Sequence, residues 1–412
     1  MRPHVRRRTA AALAVLVTLV AGLAFAGCGR GLPAAAWASG CAPAWTAAWH
    51  AAQQAVPGDQ LAGRTLRMVV RPQASGDPVR LRLSNRHGDG PLHLGAVALA
   101  RAPGEVPRPV HTGGRPDVVL PPGAEVMTDP LPVPVDAGVL VTVSLFLTEV
   151  PETVSSHPVA MRTAWLSGAG DRTGTPGPVG FGTTLQSWPV LAGLEVHAPR
   201  PRGGLLVIGD SLVDGVGSTP DRDDRLTDQI AARFDPAAGD RGVTVLNAGL
   251  SRNRLLQDDP PGAGDAPLTR FDTDVTGVAG VRDVLLLAGT NDLAAGAGPD
   301  ELIAGIQAFA QRARASGLRV FLTTIPPAAA GEHGTRATAA ARDRVNAWLR
   351  ADGPRYADGV VDAATALADP GDPRRLRPEY DSGDGLHPSA AGYRAVAAVT
   401  PVEELSGTPC TE

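Results

Sequence analysis

Lysine is absent from this 412-residue chain: all 38 of its basic residues are arginine. Without a lysine amine there is no Schiff-base chemistry and no Gly-Lys-Ser/Thr phosphate loop. Cysteine is scarce, with three in all, at Cys28, Cys41 and Cys410. No histidine or further cysteine clusters beside them, so they build no zinc site, and neither a metal nor another cofactor is expected. The formal net charge of -4 and the pI near 6.1 provide no basic surface, which argues against a nucleic-acid partner. Nothing in the composition bears on the oligomeric state.

What is present begins with a targeting pattern. Arg2, Arg6, Arg7 and Arg8 precede an apolar run from Ala10 to Ala26, and small residues follow, which is the layout of a secretory signal peptide. The run is short for a membrane span, so residues 1–38 are expected to be removed, with cuts after Ala26 or Ala38. Phe25-Ala26-Gly27-Cys28 also resembles a bacterial lipobox, so attachment to a membrane through a lipidated Cys28 stays open beside secretion. In an exported protein Cys41 and Cys410 form a natural disulfide pair that would tie the two ends together, with free thiols as the alternative.

Residues 39–199 read as β structure. Leu66, Met68 and Val70 alternate with Arg67, Val69 and Arg71; Val79, Leu81 and Leu83 alternate with Arg80, Arg82 and Ser84. Further runs at 92–99, 117–120 and 139–147 are punctuated by Pro/Gly turns, which points to an antiparallel, jelly-roll-like β-sandwich. His87, His93, His111 and His157 are scattered and read as surface or satisfied core residues. Trp45, Trp49, Trp165 and Trp188 read as core or interface anchors ahead of a carbohydrate-binding face.

After a linker at 197–204 the period changes. Strands at 205–208, 243–246, 284–288, 319–325 and 359–361 alternate with helices at 225–234, 299–316, 336–350 and 390–399. The helix at 299–316 carries a stripe of Leu302, Ile306, Phe309 and Ala313, acids in its first turn, arginines in its last and a stop at Gly317. This alternation implies a parallel sheet covered on both faces: a flavodoxin-like, three-layer α/β/α domain over residues 204–412.

In such a sheet the first three strands deliver Gly209-Asp210-Ser211, Asn247-Ala248-Gly249 and Gly289-Thr290-Asn291-Asp292 to one edge. Asp381 to Pro388 follows the fifth strand. The set suits acyl transfer, with Ser211 as nucleophile, His387 as general base and Asp384 orienting the imidazole. The backbone N–H groups of Ser211 and Gly249 and the side-chain amide of Asn291 would then stabilise the oxyanion. Asp210 reads as a loop-shaping carboxylate, Asn253 and Asp292 as supports of the loops that carry the site, Asp362 as structural, and Asp214 as a turn cap or a substrate contact.

These four blocks resemble the SGNH (GDSL) hydrolase superfamily, and the segments 245–256 and 375–384 are similar to secreted actinobacterial members with an N-terminal β-domain. The resemblance implies the roles just given and favours Asp384 over Asp381 as the triad acid, by its D-x-x-H spacing. Relatives commonly have glycine where this chain has Arg252, which changes the rim of the cleft. The expected activity is a secreted serine esterase acting on an ester substrate, foremost an acylated carbohydrate. A lipase or phospholipase is the alternative within that chemistry, and a non-catalytic carbohydrate-binding protein the alternative outside it. A metallophosphoesterase would need histidine in the Gly289–Asp292 turn, which has none.

Overall fold

The computed structural model describes residues 42–234, 242–259 and 262–407. The expected signal segment with Cys28, and the pair Cys41 and Cys410, lie outside these residues. Among the described residues no helix is long and apolar enough to cross a membrane.

The alternating segments of the first half pair as antiparallel strands. One sheet runs Ala44–His50, Leu191–Ala198, Val79–Asn85, Ala124–Met127; a larger one has Arg64–Val70, Val141–Glu149 and Leu92–Ala100 at its centre. Leu66, Met68, Leu81, Leu83, Leu94, Val143, Leu145, Leu194 and Val196 from both sheets share one core, so the layers form a sandwich. A short third sheet joins Trp188–Pro189, Thr153–His157 and Gln54–Pro57. The expected linker starts later than its Pro and Gly content indicated. His197 and Ala198 still pair with Trp45 and Ala44, because the sheet continues to bury the backbone up to Pro199.

The second half is a five-stranded parallel sheet. Its strands are β1 (Gly204–Gly209), β2 (Thr244–Gly249), β3 (Val281–Leu287), β4 (Arg319–Thr323) and β5 (Gly359–Val361), in the order β2-β1-β3-β4-β5. The helices are α1 (Ser211–Asp214), α2 (Leu226–Ala231), α3 (Thr290–Ala294), α4 (Pro299–Ala315), α5 (Arg336–Ala351), α6 (Ala363–Leu367) and α7 (Ala390–Ala398). The residues of β1 show why it sits in the middle. Leu206 and Ile208 join the core under α4 and α5, with Leu302, Ile306, Phe309 and Val345, whereas Leu205 and Val207 join that under α2 and α7, with Leu226, Ile230, Tyr393 and Val396. A strand buried on both faces has no polar side, and each large apolar side chain so buried contributes about 1.5–3 kcal/mol.

This strand order reverses direction at β1, so the loops leaving β1 and β3 diverge and open a crevice at the carboxyl edge. The sandwich docks beside it. Strand Ala44–His50 packs on β2, Ala47 donates its N–H to the Ala279 carbonyl at 2.9 Å, and Ala47 and Ala52 belong to the parallel domain's core.

Candidate active site

Ser211 is the first residue of α1, immediately after β1. Its neighbour Asp210 is the N-cap: Asp210 Oδ1 accepts the Leu212 N–H at 3.0 Å, which starts the helix one residue past the strand. The cap is fully buried and its other oxygen, Oδ2, has no hydrogen-bond partner among the described residues. Burial, helped by the charges of Asp292 and Asp214, raises the Asp210 carboxyl to about 7. Asp210 therefore shapes the turn from β1 into α1.

The turn before α7 supplies the histidine. The His387 ring donates from Nδ1 to Asp384 Oδ2 at 2.5 Å and accepts the Ser211 hydroxyl on Nε2 at 2.9 Å. Asp384 Oδ1 also accepts the N–H groups of Leu386 and His387, at 2.9 and 2.8 Å. Burial would raise the Asp384 carboxyl, but these bonds from His387 and Leu386 outweigh it and hold the pKa below the usual carboxylate range. Asp381, the competing acid, accepts the N–H groups of Gly383 and Gly385 at 2.8 and 3.0 Å and so builds the turn. Tyr393 of α7 steadies the facing loop by donating its hydroxyl to the Val216 carbonyl at 2.6 Å.

Asn291 lies one residue into α3. Gly289 ahead of it has φ 116, a left-handed backbone that favours glycine, and so turns β3 directly into the helix. Asn291 donates from Nδ2 to the Asn253 carbonyl at 3.0 Å and accepts on Oδ1 from His333 Nε2 at 3.1 Å. Asp292 accepts the Leu255 and Leu256 N–H groups at 3.0 and 2.9 Å, and Asn253 donates to the carbonyls of Ala263 and Asp265 at 2.8 and 2.9 Å. Both residues hold the loop that follows β2.

The Gly249 N–H, expected from the sequence to face the oxyanion, donates instead to Asn247 Oδ1 at 2.8 Å. An asparagine side chain readily closes such a bond two residues along the chain. The requirement for glycine here is steric: a Cβ would sit 2.2 Å from the Asp214 nitrogen of α1. Further along the same turn, Arg252 has φ 67, a left-handed backbone that favours glycine. Asp362, read as structural, caps α6 by accepting the Thr365 N–H at 3.2 Å and pairs with Arg350.

Three contributors carried no signal in the sequence. His333 sits in a 3-10 turn, Gly331–Gly334, before α5 and belongs to no motif. Arg270 is a buried hub, donating to the carbonyls of Gly209 at 3.1 Å and Ala248 at 2.8 Å and to Asn253 Oδ1 at 3.0 Å. His157, read as a surface or satisfied core residue, comes from the sandwich and reaches Asp214 with its Nε2 2.9 Å from Oδ1. Among the described residues no group of three or more His, Cys, Asp and Glu side chains is arranged to hold a metal ion.

Residues 207–395 match the GDSL-like lipase/acylhydrolase family. Among solved structures, the chain is similar to a lipase/acylhydrolase from Enterococcus faecalis at 21% identity and TM-score 0.40, covering 51% of this chain and 100% of that one. A carbohydrate acetylesterase from Sinorhizobium meliloti is similar at 19% identity and TM-score 0.38, covering 47% of this chain and 94% of that one. An aryl esterase from M. smegmatis is similar at 19% identity and TM-score 0.36, over 48% and 95% of the two chains. No curated protein matches the chain.

Proposed function

Because residues 207–395 form a GDSL-like lipase/acylhydrolase domain, we propose that this protein hydrolyses carboxylic esters outside the cell, removing acetyl or similar small acyl groups from carbohydrate. The observation that carries the chemistry is the unbroken line of hydrogen bonds from Asp384 through His387 to Ser211.

Ser211 Oγ attacks the ester carbonyl carbon as its proton passes to His387 Nε2. Asp384 holds the imidazole by Nδ1 and stabilises the imidazolium. The carbonyl electron pair moves onto oxygen, where the Ser211 N–H at the start of α1 and the second N–H of the Asn291 amide meet the charge. Collapse of the intermediate expels the alcohol, which takes the proton from His387. Water activated by the same ring then releases the acid and frees Ser211.

A sugar ester as substrate is supported by the polar rim: Arg252 and Asp384 are exposed and His333 is partly so. Export is supported by the arginine-rich start and the apolar run behind it. The test is a panel of p-nitrophenyl esters of rising chain length and acetylated xylan, run with wild type and Ser211→Ala. Ser211-dependent turnover that is fastest on acetyl groups supports the proposal. Faster turnover on long acyl chains would select the lipase alternative, and undiminished hydrolysis by Ser211→Ala would remove Ser211 as nucleophile.

A further inference from the structure

Two histidines of the sandwich are buried against aspartates of the parallel domain. His157 ends the strand Thr153–His157 and is 3% exposed. Its Nδ1 donates to the Ala52 carbonyl at 2.9 Å and its Nε2 to the Val159 carbonyl at 3.1 Å, while Nε2 also lies 2.9 Å from Asp214 Oδ1. That last contact is oblique, an ion pair and not an aligned hydrogen bond. A neutral imidazole has one N–H and one bare nitrogen. Here both nitrogens face carbonyl oxygens, which only accept, so both carry a proton and the ring is an imidazolium. Burial disfavours that charge, but Asp214 and the two carbonyls outweigh it and leave the pKa raised. Trp188 stacks on the ring, centroids 5.4 Å apart at 28°.

Asp214 is the last residue of α1, the helix that Ser211 begins. Its second oxygen, Oδ2, accepts both the N–H and the hydroxyl of Ser251, at 2.8 and 2.5 Å. One buried carboxylate thus joins the nucleophile's helix to the turn Gly249–Asn253, on whose last carbonyl the Asn291 amide is anchored. The second histidine reaches the same turn from below. His50 Nε2 is 3.6 Å from Asp274 Oδ1, Asp274 Oδ2 accepts from Arg270 Nη1 at 2.9 Å, and Arg270 holds Asn253.

We propose that the antiparallel sandwich is a working part of the active site. His157 is a positioning residue whose imidazolium holds Asp214, and with it the 249–253 turn and the Asn291 amide, in line with Ser211. The inference rests on the esterase reading. The turn matters most when charge develops on the substrate oxygen, so its displacement weakens transition-state binding more than ground-state binding. Without His157 the buried Asp214 loses its counter-charge and is driven to seek solvation or a proton, either of which loosens its hold on Ser251.

The experiment compares full-length wild type, Ser211→Ala, His157→Gln, Ser251→Ala and the His157→Gln/Ser251→Ala double variant on p-nitrophenyl acetate. His157→Gln is expected to lower kcat about 10–100-fold with KM within about twofold of wild type, the size of a small misplacement of catalytic groups. Ser251→Ala, which leaves the sandwich contact intact, is expected to lower kcat severalfold at constant KM. The double variant should lose less than the product of the two effects, because both act through Asp214. A folded His157→Gln with kcat within about twofold of wild type, or with its change confined to KM, would overturn the inference. If His157→Gln lacks the wild-type circular dichroism, Asp214→Asn decides instead: it keeps an oxygen for Ser251 but removes the charge that His157 holds, is expected to lower kcat at constant KM, and unchanged kcat there overturns the inference. Wild-type turnover that does not depend on Ser211 is a separate result and overturns the esterase reading itself.

Discussion

His333 donates from Nε2 to Asn291 Oδ1 at 3.1 Å, and this bond fixes which end of the amide faces the reaction. Burial, with the nearby His387 and Arg342, lowers the His333 pKa and keeps its ring neutral, with a single N–H to give. The Asn291 oxygen takes that hydrogen, so its NH2 group must point the other way. One of its hydrogens goes to the Asn253 carbonyl, which leaves the second for the substrate.

Asn291→Ala is therefore expected to lower kcat about 100–1,000-fold with little change in KM, the usual result of deleting an oxyanion donor. His333→Ala acts only through the amide and should lower kcat about tenfold. His333→Gln restores a donor and should recover part of that loss. Steady-state kinetics on an aryl acetate decide it, and a His333→Ala enzyme as fast as wild type would break the link.

The two acids of the His387 loop separate cleanly. Asp384→Asn removes the acceptor that sets the imidazole tautomer and is expected to lower kcat about 10,000-fold. Asp381→Asn keeps an oxygen for the Gly383 and Gly385 N–H groups and should stay within about tenfold of wild type. Equal losses in the two variants would reverse the assignment.

The buried Asp210 predicts a pH dependence of stability. Its folded pKa of about 7 lies above the ordinary 3.8, so the folded state binds the proton more tightly. The stabilisation is complete below about pH 4 and is lost as pH rises through 7, by an amount on the order of 4 kcal/mol. Asp210→Asn keeps the oxygen that caps α1 and removes the charge. Its denaturation midpoints should exceed those of wild type above pH 7 and change less between pH 4 and 7. Parallel pH profiles for the two proteins would contradict this.

Arg252 has a left-handed backbone, φ 67, and an exposed side chain. Arg252→Gly removes the penalty of a Cβ in that conformation, roughly 1 kcal/mol, against the loss of one side-chain bond to the Gly262 carbonyl. Since the guanidinium reaches the Gly262 carbonyl and not Ser211, His387 or Asn291, the variant should keep at least half of the wild-type kcat. Thermal unfolding is expected to be unchanged or higher by a few degrees. A large loss of kcat would show that the guanidinium itself acts in the cleft.

Much of this arrangement is legible in the sequence. Strands of unbroken apolar residues such as 205–208 can be stable only between two covering layers, and that requirement brought Ser211 and Asn291 to one edge of a parallel sheet. The resemblance to the SGNH blocks favours Asp384 over Asp381 through its D-x-x-H spacing, and in the structure Asp381 accepts the Gly383 and Gly385 N–H groups. These features are local, set by periodicity or by spacing within a few residues.

What only the tertiary structure decided is how distant groups share hydrogen bonds. Gly249 carries a glycine where the site needs close packing, but its N–H goes to Asn247, and competition for one donor is invisible in a sequence. His157, His333 and Arg270 belong to no motif, because the partners that give them a role, Asp214, Asn291 and Asn253, lie on other strands and helices. A lone histidine becomes an imidazolium when folding leaves it facing only acceptors, and that depends on three-dimensional burial. Local pattern thus marks Ser211, Asp384 and His387, whereas the packing of the sandwich decides that His157 meets Asp214.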